Sequence, residues 1–391
     1  MLRNHWPAGV GLTLLAIVAS GAVATPAMAL TGGDAYAGTS RVTFRADSGD
    51  RNQVVITRAG RYVVIDDRVT INPGKGCKRV KGDKTKVRCK TKKPARSLYI
   101  KVYDRNDSVV NNSDLRMEAY GGTGSDTLVG GPKADMFRSD DTCEPRGGND
   151  RIYGRGGNDE IFADDGSDYI SAGDGNDLVL GDSDCANHPI RPGNDVIHGG
   201  KGDDELVGGA GDDQIYGDDG SDWLAGQAGR DRLDGGAGDD ALQGDENDRG
   251  AAADVLLGGP GRDRLDYFAY AKSITVDLDG SSGDDGLPGE RDTVGADVED
   301  IISGPGDDRL TGNETANHLE GYYGNDVIVG GGGDDELDGV DGSDKIYGGA
   351  GDDAIITAGA SSLVDGGPDN DVCRVRPETT AVFSCEVREI W

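Results

Sequence analysis

Aromatic residues make up only 5% of the 391 residues and hydrophobic residues of all kinds 35%, which excludes a large conventional core. Long apolar runs are scarce too. The one candidate, Ala8–Ala24, is short and broken by Gly9, Gly11, Ser20 and Gly21, which argues against a bilayer-spanning helix. The four histidines, His5, His188, His198 and His318, are scattered, and neither H-E-x-x-H nor G-x-S-x-G occurs. Metalloprotease and serine-hydrolase readings therefore lack their parts. The absence of any C-x-x-C pair removes the common zinc and dithiol redox arrangements.

Glycine and acid are in excess. The chain has 66 glycines and 72 Asp and Glu against 40 Lys and Arg, a formal net charge of −32. That charge is unevenly placed: residues 41–110 hold 19 Lys and Arg against 7 Asp and Glu, so a basic segment precedes a strongly acidic one. Without counter-ions, such a composition buries too little apolar surface to offset the entropy of ordering.

The acidic part is periodic. Residues 199–243 read GGKGDDELV, GGAGDDQIY, GDDGSDWLA, GQAGRDRLD and GGAGDDALQ, five nonapeptides end to end. Glycine holds the fourth position, aspartate the sixth (Asp204, Asp213, Asp222, Asp231, Asp240) and an aliphatic residue the eighth (Leu206, Ile215, Leu224, Leu233, Leu242). Positions seven to nine run polar, apolar, polar or nearly so, a minimal strand with one side chain facing inward. Such a strand has to stack on copies of itself, and a fixed short period is the mark of a solenoid. The six residues before each strand form a turn, where glycine accepts positive φ and lets neighbouring turns approach closely. Aspartate offers hard anionic oxygens there, and turn carbonyls offer neutral ones, a set that suits calcium better than magnesium or zinc. The bland alternative is a solubilising Gly-Asp turn, which five contiguous copies disfavour.

The nonapeptide resembles the G-G-x-G-x-D-x-U-x repeat of the RTX, or haemolysin-type, calcium-binding family. The resemblance implies an all-β fold, a right-handed parallel β-roll with two nonapeptides per coil. It also implies ions held between repeats n and n+2, pairing Asp204 with Asp222, Asp222 with Asp240, and Asp213 with Asp231. On that basis the candidate calcium ligands are the sixth-position residues Asp126, Asp135, Asp150, Asp159, Asp168, Asp177, Asp195, Asp204, Asp213, Asp222, Asp231, Asp240, Asp254, Asp263, Asp308, Asp326, Asp335, Asp344, Asp353 and Asp371. Asn317 and Ser362 replace aspartate in the column, so sites using them should be weak or absent.

In chain order, residues 1–29 read as an export signal, with Arg3 before the apolar run and Ala27-Met28-Ala29 as a small-x-small cleavage site. Residues 30–110 read as a small basic β domain, its strand-like pieces antiparallel and stapled by Cys77–Cys89. Residues 111–266 form the first repeat block, interrupted at Ser139–Glu144 and Gly244–Asp248; Gly181–Pro189, GDSDCANHP, fills one nine-residue slot and keeps register. Residues 267–302 form an irregular spacer, 303–374 the second block, and 375–391 a closing cap. The even count of six cysteines suits an oxidising compartment; the sequence leaves the connectivity open and favours the local pairs Cys77–Cys89, Cys143–Cys185 and Cys373–Cys385.

Three functional readings follow. The first is a secreted, extracellular calcium-binding β-roll with a structural or surface-interaction role and no catalysis. The second is a calcium-ordered module that binds an acidic polysaccharide or cell-wall polymer through residues 41–110, where Lys75–Lys93 is dense in cations, or through an exposed face of the roll. A solvated face, or a basic cap drawn to the chain's own acidic roll, accounts for that cluster more simply. Aromatic residues do not interleave it, so no nucleic acid is expected, and no membrane span follows the signal. The third, a secreted enzyme of the same family, has only about 80 residues outside the roll in which to place a catalytic domain.

Overall fold

A three-residue strand with one inward side chain buries almost nothing alone, so the fold is a matter of what each strand stacks on. The computed structural model describes residues 32–139, 147–182, 193–246, 252–359, 361–376 and 381–390. Among these, every regular element is a strand and there is no helix. The export signal and the Cys143–Cys185 pair lie outside the described residues.

Consecutive nonapeptides alternate between two facing sheets. Glu205–Ala210 pairs in parallel with Trp223–Ala228, and that strand with Ala241–Gln243, on one side; Gln214–Asp219 pairs with Arg232–Ala237 on the other. The register places Leu206 on Leu224 on Leu242 and Ile215 on Leu233, so each eighth position meets its equivalent one coil away. These five side chains have no exposed surface, and neither do Leu128, Phe137, Ile152, Ile161, Leu310, Leu337 or Ile355. The core is thus a narrow double file of aliphatic side chains, each worth about 1.5–3 kcal/mol of burial.

The two edges of the roll differ. Turns leading into the long sheet, such as residues 199–204, 217–222 and 235–240, are uninterrupted. Insertions fall on the opposite edge, after Met136–Arg138, Leu178–Leu180 and Ala241–Gln243. One insertion changes the register read from the sequence. Val196–Lys201 stacks on Tyr169–Asp174, and Glu205–Ala210 on Leu178–Leu180, each 27 residues on in place of 18. Gly181 N–H donates to Val207 O and Asp182 N–H to Gly208 O, so these two residues are the first and second positions of the Asp195 repeat. The nine extra residues of this coil therefore fall between Asp182 and Gly193, not in a repeat of their own. Read as a nonapeptide, GDSDCANHP would put His188 in the eighth position and Pro189 in the ninth, a poor match to an aliphatic residue and a strand donor.

The N-terminal strands contain antiparallel pairs, Gly33–Ala37 with Arg41–Arg45 and Gln53–Ala59 with Tyr62–Asp66, and the disulfide Cys77–Cys89. They also join both faces of the roll in parallel: Ser97–Lys101 pairs with Arg116–Tyr120, and Ser108–Asn112 with Thr127–Val129. At residues 267–302 the long sheet continues unbroken, Arg264–Asp266 pairing with Asp300–Ile302. The opposite face changes hands there. Thr275–Asp277 reaches forward to open a new sheet on Arg309–Thr311, and Thr293–Val294 turns back to close the old one on Val255–Leu257. Tyr267 and Tyr270 are buried at this seam. Cys373, itself an inward eighth position, is bonded to Cys385 in the last coil.

Candidate metal centre

Each sixth-position aspartate follows the turn and precedes the strand, so its side chain is directed into the roll beside the aliphatic file. Asp204, Asp213, Asp222, Asp231 and Asp240 are all at least 97% buried. One carboxylate oxygen is used in stacking: the Asp204 backbone N–H donates to Asp222 Oδ1 at 2.7 Å, Asp222 N–H to Asp240 Oδ1 at 2.8 Å, and Asp213 N–H to Asp231 Oδ1 at 2.8 Å. The same bond recurs from coil to coil. It links Asp126, Asp150, Asp168, Asp195, Asp213, Asp231 and Asp254 along one edge, and Asp135, Asp159, Asp177, Asp204, Asp222, Asp240 and Asp263 along the other. In the last block Asp308, Asp326 and Asp344 form one ladder and Asp335, Asp353 and Asp371 another.

The second oxygen is left over. Oδ2 of Asp126, Asp159, Asp177, Asp195, Asp204, Asp213, Asp222, Asp231, Asp240, Asp254, Asp263, Asp326, Asp335 and Asp353 is buried without a hydrogen-bond partner. A buried carboxylate with an unsatisfied oxygen carries a heavy desolvation cost, which it meets by taking up a proton or a cation. Burial accordingly pushes the carboxyls up, Asp222 and Asp204 to about 7, Asp231 and Asp195 to about 8, Asp126 and Asp254 to about 9. Neighbouring aspartates add to the shift, as Asp240 does for Asp222.

The space beside each Oδ2 is kept open by glycine. A Cβ on Gly217 would fall on Asp222 Oδ2 and on the Gly235 carbonyl oxygen, and one on Gly199 on Asp204 Oδ2 and, at 2.8 Å, the Gly217 carbonyl. Carboxylate and carbonyl oxygens therefore converge on places that no side chain can fill. All-oxygen donors without histidine or thiolate fit a hard cation of the calcium type. A groove of about 830 Å³ runs along the uninterrupted edge past Asp159, Asp177, Asp204, Asp222 and Asp240.

The exceptions follow the sequence. Asn317 Oδ1 accepts from Asn313 N–H and its Nδ2 donates to Glu299 O at 3.1 Å, so the neutral amide is satisfied without an ion. Ser362 Oγ accepts from Asp344 N–H, and Thr357 donates to Asp344 Oδ2. Asp135 Oδ2 accepts from Gly131 N–H. Four ladder members lie outside the regular repeats: Asp107 accepts from Asn52 N–H, Asp292 from Asp254 N–H, Glu299 from Asp263 N–H and Glu386 from Asp371 N–H. An acid two residues before an aliphatic was the available signal for Asp107, Asp292 and Glu299, which precede Val109, Val294 and Ile301. In the spacer, Asp277, Asp279 and Asp284 also bring carboxylate oxygens within 4.8 Å of one another, two of the three exposed, an arrangement common without an ion.

Stacked turns presenting buried, half-satisfied carboxylates define the class, a calcium-binding β-roll. The family model of the RTX calcium-binding nonapeptide repeat (4 copies) matches residues 120–141, 146–179, 191–224, 216–248, 250–266, 302–337, 330–361 and 338–373, and the chain belongs to that family. No curated protein matches the chain.

Proposed function

We propose that this is a secreted calcium-folded protein with a structural or surface-interaction role and no catalytic activity of its own, in which the sixth-position aspartates are the calcium ligands. The observation that carries the reading is the repeated unpartnered Oδ2. With metal bound, each ladder exchanges mutual repulsion for cross-linking of adjacent coils, so that binding free energy becomes folding free energy. Inside a cell, where free calcium is scarce, the chain stays open for export; outside, it folds. Residues 1–29 serve as the export signal in this account. Equilibrium dialysis tests it: several calcium ions per chain should bind, and magnesium at equal concentration should not displace them. Binding of no calcium would remove the reading, and N-terminal sequencing of exported protein should begin after Ala29.

A second reading concerns the partner. Lys78, Arg79, Lys81, Arg88 and Lys90 line a cleft of about 760 Å³ beside the Cys77–Cys89 bridge. Arg88 covers the face of Tyr62 at 4.3 Å, so the cleft's one aromatic ring is not open to a nucleobase. These features suit an acidic polysaccharide or cell-wall polymer. Retention on an immobilised uronic-acid polymer, lost at high salt and in a Lys78→Glu/Lys81→Glu/Lys90→Glu variant, is expected; elution with the unbound fraction would remove this reading and leave the first intact.

A further inference from the structure

In a chain of net charge −32, the outer face of the long sheet carries a line of cations where that sheet begins. Arg45 stands beside Lys101, Lys101 beside Tyr120, Tyr120 beside Arg138 and Arg138 beside Phe162. Their chain neighbours Phe44, Ile100, Ala119, Phe137 and Ile161 are buried, so the alternation of a strand turns the whole line to the surface. Farther on, the same line runs through Leu180, Val207, Ala225 and Gln243, without charge. A hollow of about 340 Å³ on this face, lined in part by Arg41, Arg116, Glu118 and Met136, adds an exposed cation in Arg116.

Aromatic rings hold these cations in place. The Arg138 guanidinium lies over the Phe162 ring at 4.3 Å, and that of Arg45 over Tyr99 at 5.6 Å. Lys101 Nζ lies 4.8 Å from the centre of the Tyr103 ring and 5.9 Å from that of Tyr120. A guanidinium laid on a ring leaves its N–H edge for a carboxylate and loses less freedom when it binds one. Arg41 is ion-paired with Glu118 at 3.3 Å, whereas Arg45 and Arg138 have no carboxylate partner among the described residues. Cations already stacked on the rings compete with a nucleobase for them.

We propose that this line binds a linear anionic glycan, laid across the strands, that carries a carboxylate on alternate sugars. Lys101 and Arg138 stand two strands apart with Tyr120 between them, a separation of about 9.5 Å at ordinary strand spacing. That separation matches one disaccharide of an extended chain. The cations take the carboxylates, Arg138 through its planar fork, and the uncharged sugar between them passes over Tyr120. The crowded cations of the cleft beside Cys77–Cys89 suit a polymer of denser charge, so the two surfaces select different charge spacings. This inference shares its broad class of partner with the second reading above but rests on other residues.

Hyaluronan fragments of increasing length, titrated into the full chain in calcium and followed by calorimetry, provide the test, because every second sugar of that polymer bears a carboxylate. Affinity should rise with length until a fragment spans the line, and then level off. An Arg45→Ser/Lys101→Ser/Arg138→Ser variant, altered only on the outer face, should bind at least about tenfold more weakly with unchanged far-UV circular dichroism. Arg138→Gln alone should weaken binding to a smaller extent, and the Lys78→Glu/Lys81→Glu/Lys90→Glu variant should bind these fragments as wild type does. Absence of binding, or binding undiminished by Arg138→Gln, would overturn this inference and leave retention on a uronic-acid polymer through the cleft untouched. Equal affinity for a single-stranded oligonucleotide of the same length would overturn the glycan assignment.

Discussion

Asp222 has two oxygens with two fates, and the difference predicts opposite effects for two substitutions. Asp222→Asn keeps an acceptor for the Asp204 N–H but removes the buried charge, so in chelator it should stabilise the fold relative to wild type, by about 1 kcal/mol or more. In calcium the order reverses, since an amide is a weaker ligand, and the calcium midpoint should rise several-fold. Asp222→Ala loses both functions and should be worse than wild type in calcium. Urea denaturation of the three proteins with and without calcium checks the reversal, and an Asn variant weakened equally in both conditions would contradict it. Asn317 is the chain's own precedent, seated in the column with its amide satisfied by Asn313 and Glu299.

Strands and turns respond to packing and backbone geometry. Leu224 is fully buried between Leu206 and Leu242, so Leu224→Ala should cost about 2–5 kcal/mol, through a cavity that a one-residue-wide file closes poorly. Gly202 has φ +114°, and a Cβ there would strike the Gly175 carbonyl of the preceding coil. Gly202→Ala should therefore cost at least about 1–3 kcal/mol, where Gly60→Ala, at φ +62° with nothing near, should cost less. Thermal unfolding in saturating calcium gives both comparisons. At this scale much was legible from sequence: the strand at positions seven to nine and the inward eighth residue follow from periodicity, and the eighteen-residue stacking from the resemblance to the calcium-binding repeats. The nine extra residues between Asp182 and Gly193 read as a repeat because their length alone preserves the count. His188 and Pro189 were the contrary chemical signal. The seam was not legible because Thr275–Asp277 pairs forward with Arg309–Thr311 while Thr293–Val294 pairs back with Val255–Leu257, an exchange between sheets that no local pattern records.

The whole molecule is organised by charge that it cannot satisfy alone. Burial disfavours the ionised form and raises the ladder carboxyls above the ordinary 3.8, Asp213 to about 6 and Asp126 to about 9. The metal-free fold thus binds more protons than the unfolded chain, and its stability is greatest below about pH 4 and lost as pH rises through 6 to 9. In chelator the protein should gain strand on acidification from pH 8 to pH 4, while in calcium it should be folded at pH 8 and bind calcium more weakly as pH falls. The basic segment at Lys75–Lys93 does not relieve this strain, since it lies in the N-terminal strands rather than along the ladders. Far-UV circular dichroism of the mature chain at neutral pH, in chelator and then through a calcium titration, tests the central claim most directly. Cooperative appearance of strand at roughly micromolar to millimolar calcium is the predicted result; a chain already fully strand in chelator, with no response to calcium, would contradict it.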